Sequence, residues 1–227
     1  MLTFFRIIIQ MEDFKNPWPA LERYREKFTL FNDDIQGTGA VIAGGLASAI
    51  KRTGIPVREQ RLLFFGAGSA GVGVARQIVQ LFVHDGLTEN EARQRFWLLD
   101  SRGLITNDRG DKLAPHKVYF SRDDNAGRQY RSLEEAVDLV KPTILMGLST
   151  IGNVFTPQIL KKMATWNSHP IIFPLSNPSA NSECTFEDAI KYTEGRALFA
   201  SGSPFPDFEY KGRRHVPGQG TQFPDFH

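Results

Sequence analysis

A single cysteine, Cys184, is all that the 227 residues contain. That excludes an internal disulfide framework and fits a reducing compartment. An excess of one charge is missing too. The 27 basic and 25 acidic residues leave a formal net charge of +2, so the composition gives no electrostatic reason to bind nucleic acid or an anionic membrane surface. The short basic run "KGRR" at 211–214 is too small to be a nucleic-acid footprint. No apolar run reaches bilayer-spanning length. The apolar start "MLTFFRIIIQ" carries Arg6 in its middle and no small-residue cleavage site. It reads as a buried strand ending at Gln10, not as a signal peptide. The five histidines are scattered without the spacing of a zinc site, and there is no internal repeat or low-complexity tract.

What is present is alternation. Short apolar runs at 61–65, 95–100, 143–148, 170–177 and 197–201 read as strands. Helical stretches at 38–52, 72–83, 132–140 and 156–166, and one capped by Thr185, fall between or beside them. The segment 21–28 reads as a polar, exposed helix. The segment 38–52, apolar on nearly every side, reads as a buried one. Residues 101–131, rich in Asp, Arg and Gly, read as a surface excursion. Trp18, Trp97 and Trp166 read as packing residues, and Cys184, with no basic cluster nearby, as structural. The pattern predicts an α/β fold, a doubly wound and mostly parallel sheet of Rossmann-like type, with ligands at the carboxyl ends of its strands.

The stretch "FFGAGSAGVG" follows a strand and opens a helix. Within it Gly66, Gly68 and Gly71 have the G-x-G-x-x-G spacing of a dinucleotide loop. Such a loop makes a tight turn at its first glycine, admits a pyrophosphate at its second and packs its helix at its third. The plain alternative is an ordinary strand–helix turn. Asp100 ends the next strand and is placed to accept hydrogen bonds from a ribose, or is simply a solvated strand end. Its charge would repel a 2′-phosphate and favour NAD, while Arg102 and Lys117 could pair with that phosphate. The residues leave NAD or NADP open.

Carboxylates gather in "QMEDF" and "FNDDIQGTG". Glu12 and Asp13 follow the first strand, and Asp33 and Asp34 precede a helix. Together they could form an oxygen-only site for Mg²⁺ or Mn²⁺. Separately they could be a solvated turn and a helix terminus favoured by its dipole.

The motifs "QMEDF", "YREKFTLFNDDIQGTGAV", "FFGAGSAGVGVA", "LSNPS", "SECT", "TEGRALFASGSPF" and "PGQG" together resemble malic enzyme, from about residue 9 to about 220. The resemblance implies oxidation of L-malate with NAD(P)⁺ and decarboxylation to pyruvate and CO₂. By matching position, it implies Glu12, Asp13 and Asp34 as metal ligands, with Asp33 supporting beside them. Gly66, Ala67, Gly68, Ser69, Ala70 and Gly71 match the dinucleotide loop and Asp100 the ribose-side acid. Gly147 and Ser149 fall in a second cofactor-contact segment. Asn177 matches a residue at substrate and nicotinamide, and Lys117 aligns near a lysine that goes with NADP preference. The implied organisation is a metal-site strand and helix over 1–36, a dinucleotide-binding domain over 37–220 and an atypical tail over 221–227. The resemblance also implies homo-oligomers and a cytoplasmic or mitochondrial enzyme, with no targeting segment visible.

The family's catalytic Tyr, catalytic Lys and malate-binding Arg have no counterparts here. Tyr24 and Lys27 read as surface residues, and Thr221 and Gln222 stand where a substrate Asn is expected. General acid–base catalysis typically contributes about 10²–10⁴-fold, so a polypeptide without those groups is expected to turn over malate negligibly. A nucleotide-binding module without catalysis is the other reading. A Rossmann dehydrogenase acting on amino acids fits less well, because it needs no such carboxylate set.

Overall fold

A computed structural model describes residues 7–14 and 16–219. The chain runs β1 (Ile9–Met11), α1 (Trp18–Tyr24), β2 (Leu30–Asn32), a π-helical turn (Asp33–Gly37) and α2 (Thr38–Thr53). Then come β3 (Leu62–Phe65), α3 (Ser69–His84), α4 (Glu89–Arg93), β4 (Phe96–Asp100), β5 (Gly103–Leu104), α5 (Pro115–Val118) and α6 (Leu133–Val140). The remainder is β6 (Ile144–Gly147), α7 (Pro157–Trp166), β7 (Ile171–Pro174), α8 (Phe186–Tyr192), β8 (Leu198–Ser201), β9 (Phe208–Tyr210), β10 (Arg213–His215) and β11 (Gly218–Gln219).

Among the described residues, seven strands form one sheet in the order β11-β8-β7-β6-β3-β4-β5. Every pairing in it is parallel except that of β4 with β5. Parallel strands need both faces covered, and the side chains divide accordingly. Leu62 and Phe64 join α2 and α3 in one core, whereas Leu63 joins α6 and α7 in another. The helices begin where their caps predict. Ser132 and Glu135 form a reciprocal capping box on α6, and the Thr156 and Thr185 side chains cap α7 and α8.

Four expectations need correction. In the first apolar run Ile7, Ile8, Ile9 and Gln10 are exposed, because β1 pairs only with β2 in a two-stranded sheet. Residues 1–6 of that run lie outside the described residues, as do Thr221, Gln222 and the rest of the 221–227 tail. Helix α1 starts earlier than expected and buries Trp18 and Leu21. Helix α2 leaves Ala40, Gly44, Gly45 and Ser48 exposed; its small residues make its pattern apolar without covering that side. The 101–131 connection is packed as well as exposed, since it buries Leu104, Ile105 and Phe120 and lays β5 against β4.

The chain leaves β3 for β4 on one side and then crosses to β6 on the other. The carboxyl ends of β3 and β6 are therefore the switch point, where an open parallel sheet leaves a crevice.

Candidate functional site

At that crevice the loop after β3 is shaped by close backbone approach. Gly66 has φ 118°, and a Cβ there would lie 2.2 Å from the Leu148 carbonyl oxygen beyond β6. A Cβ on Gly71 would lie 2.1 Å from the Gly66 carbonyl oxygen. Gly68 differs: it is exposed, and a Cβ there would meet nothing within 4 Å. The open space lies beside the start of α3, a 16-residue helix whose first N–H groups lack intrahelical partners. Ala67 is buried behind this opening, while Ser69 and Ala70 begin the helix at its edge. Open space beside a helix N-terminus is the arrangement that suits an anion.

Asp100 lies at the end of β4, but its oxygens are already occupied. Oδ1 accepts from Arg102 N at 2.9 Å and Arg109 Nη1 at 2.8 Å, and Oδ2 from Arg109 Nη2 at 3.1 Å and Lys117 Nζ at 2.7 Å. A carboxylate has about four lone-pair sites, so a ribose hydroxyl would have to displace a partner. This differs from the expected free ribose acceptor. Burial pushes the Asp100 carboxyl up, but the hydrogen bonds from Arg109 and Lys117 outweigh it and hold it down at about 2. With an unfolded value near 3.9, the network contributes roughly 2 kcal/mol above about pH 4, and this is lost as pH falls through 2. In urea titrations between pH 5 and 2.5, Asp100→Asn is expected to give a visibly shallower loss of stability than the parent chain. Equal slopes would contradict the assignment.

The carboxylate turn rests on Asn32. Its buried side chain accepts from Ile35 N at 2.8 Å and donates to the Met11 carbonyl at 3.0 Å, tying the end of β1 to the start of the π-helical turn. Asp13, at φ 59°, donates its N–H to Asp34 Oδ2 at 3.0 Å. The Asp33 carboxyl folds over Gly37, where a Cβ would come within 2.2 Å of it. Ile35 sits against Gly73 of α3, which seats the turn beside the loop of Gly66–Gly71.

A cavity of about 360 Å³ results. Glu12, Asp13, Asp33 and Asp34 line it together with Thr38, Ala70, Leu148, Thr150, Ser176 and Asn177. Among the described residues no three His, Cys, Asp or Glu side chains are gathered closely enough to hold a metal ion. The donor set fits a hard cation by its chemistry, since it is made of carboxylate oxygen.

Ser149 uses its donors internally: its N–H and Oγ both reach Glu183 Oε1, at 3.1 and 2.9 Å. Gly147 is glycine because Glu183 occupies the space above it, with a Cβ there 2.2 Å from Glu183 Cδ. Cys184 is buried, and burial raises its thiol well above the ordinary range, which leaves it inert. Tyr24 and Lys27 are exposed. Among the described residues no helix is long and apolar enough to cross a membrane.

Comparison with known proteins converges on one family. The family model described as "Malic enzyme, NAD binding domain" matches residues 35–225. The NADP-dependent malic enzyme of Dictyostelium discoideum is 49% identical over 218 residues, covering 95% of this chain and 40% of the relative. The mitochondrial NAD-dependent malic enzyme of Ascaris suum is 42% identical over 218 residues, covering 95% of this chain and 33% of the relative. The crystal structure of malic enzyme from Pyrococcus horikoshii superposes with a TM-score of 0.66 at 30% identity, covering 86% of this chain and 43% of that one. The NAD-dependent malic enzyme of Thermotoga maritima gives 0.67 at 28% identity, covering 86% and 48%. The chain thus spans less than half the length of each of these relatives.

Proposed function

This chain belongs to the malic enzyme family, matching its NAD-binding domain, and from that premise we propose that it supplies the nucleotide- and metal-binding portion of an enzyme that oxidises L-malate to pyruvate and CO₂. The observation that carries this reading is the shared cavity. It brings the carboxylates of two separate segments, the first turn of α3 and Asn177 to one place.

In this reading Gly66–Gly71 and the first N–H groups of α3 hold the pyrophosphate. Residues at the end of β4 would hold the adenosine half, and residues after β6 and β7 would hold the nicotinamide half. Bound NAD(P)⁺ supplies the hydride acceptor. Asp100 holds Arg109 and Lys117 in place at the adenosine end. Its charge is answered there, and Arg102, Arg109 and Lys117 are three cations against the two carboxylates of Asp100 and Asp111. We therefore favour NADP as the cofactor. By the chemistry of their oxygen donors, and not by their present spacing, Glu12, Asp13 and Asp34 would hold Mg²⁺ or Mn²⁺, with Asp33 alongside. When bound, that cation polarises the malate C2 oxygen as a Lewis acid and stabilises charge developing on it. Asn177 orients the substrate across the cavity. The residues of this chain bind and orient, and no proton transfer is assigned to any of them.

Calorimetric titration with Mn²⁺ tests the metal reading: Asp34→Ala is expected to weaken binding at least about tenfold, from loss of one anionic ligand. Unchanged affinity in the folded variant would remove the site. For the reaction itself, malate-dependent NADPH formation is expected when the chain is supplied with the remainder of a malic enzyme. Its absence in a complex that binds both nucleotide and Mn²⁺ would overturn the proposal.

A further inference from the structure

Glu183 is fully buried, and among the described residues no Lys, Arg or His forms an ion pair with it. Two serines satisfy it instead. Ser149 donates N–H and Oγ–H to Oε1; Ser176 donates Oγ–H to Oε1 at 2.5 Å and N–H to Oε2 at 3.3 Å. Both hydroxyls also accept. Ser176 Oγ takes the Thr150 N–H at 2.9 Å and Ser149 Oγ takes the Ile151 N–H at 3.2 Å. The carboxyl therefore grips the loop after β6 through two relays.

What the relays hold is costly by itself. Thr150 sits at φ 61°, a conformation that a β-branched residue rarely adopts and keeps only where its surroundings enforce it. Thr150, Ser176 and Asn177 line the same cavity as the carboxylates. A buried carboxyl with space cleared for it by Gly147 is thus spent on the shape of the cavity wall.

We propose that Glu183 is a positioning residue that, through Ser149 and Ser176, fixes residues 148–151 in the conformation that receives the nicotinamide half of the cofactor. The inference rests on the nucleotide reading given above. Glu183 touches neither cofactor nor substrate. Both relays run through Oε1, so an amide with its oxygen there would keep them and lose only the 3.3 Å contact from Ser176 N–H; releasing the loop requires removal of the acceptor.

The test compares two ligands on the 227-residue chain: NADPH, and 2′-phospho-ADP-ribose, which lacks the nicotinamide. In Glu183→Leu, which keeps the bulk but removes the acceptor, the affinity for NADPH is expected to fall about tenfold, with that for 2′-phospho-ADP-ribose changed less than about twofold. Ser176→Ala, which keeps the carboxyl but cuts the relay to Thr150, should shift the same ratio, and carries the test if Glu183→Leu does not fold. Equal loss of both ligands would make Glu183 merely structural and overturn the proposal, as would an unchanged ratio in the folded variants. A parent chain that binds NADPH no better than 2′-phospho-ADP-ribose would also overturn it. A parent chain that binds neither of these nor NADH would overturn the nucleotide reading as well, whereas binding of NADH alone moves the same comparison to NADH and ADP-ribose.

Discussion

Gly68→Ala is expected to lower nucleotide affinity by about a hundredfold, the equivalent of two lost N–H···phosphate contacts, while leaving the fold unharmed. The reason lies in the contrast with its neighbours. A methyl on Gly68 meets no protein atom within 4 Å, and its backbone, at φ −77°, suits any residue. The methyl would stand where the pyrophosphate must approach. Gly66→Ala acts on the protein instead. It places a methyl 2.2 Å from the Leu148 carbonyl oxygen at φ 118°, and a left-handed backbone plus overpacking costs roughly 3 kcal/mol. For a domain of this size that is a fall of about 10 °C in unfolding temperature. Thermal unfolding and calorimetry on both variants separate the two effects. Tight binding by Gly68→Ala would remove the loop from the site.

Lys117→Gln is expected to weaken NADP⁺ binding about 10- to 100-fold, the range for a hydrogen bond to a charged group, and to change NAD⁺ binding less than about twofold. Lys117 reaches the end of β4 from α5 and already touches Asp100 at 2.7 Å. A 2′-phosphate arriving there would meet a lysine whose position Asp100 has set. Arg109 keeps Asp100 paired in the variant, through two hydrogen bonds of 2.8 and 3.1 Å, so the strand end should keep its shape. Equilibrium titrations with the two nucleotides provide the check. An equal loss for both would make Lys117 a partner of Asp100 alone, and no loss for either would place the 2′-phosphate elsewhere.

The parts of this architecture that depend on local pattern were legible in the sequence. Buried parallel strands are continuous apolar runs, so β3, β4, β6, β7 and β8 fall where those runs are. The capping residues Ser132, Thr156 and Thr185 mark helix starts, and the glycine spacing at 66–71 marks the loop. What stayed hidden depends on partners distant in the chain. Arg109 lies in a polar connection with nothing local to link it to Asp100, yet that contact decides whether Asp100 repels a phosphate. Asn32 had a usable signal, a side chain of capping type directly before two acids, but its bond to Met11 needs the β1–β2 pairing. Glu183 looks like an ordinary polar residue before a helix, and only the juxtaposition of β6 and β7 shows that it is enclosed. Helix α2 misled because pattern reports what could be covered and not what covers it.

One crevice, at the ends of β3 and β6, is proposed to hold the nucleotide beside the carboxylate cavity. A crystal structure of the chain grown with NADPH provides the test. Pyrophosphate oxygens are expected within hydrogen-bonding distance of the backbone N–H groups at the start of α3, and the nicotinamide ring over the loop after β6. NADPH seated outside this crevice, or its pyrophosphate bound away from Gly68, would contradict it.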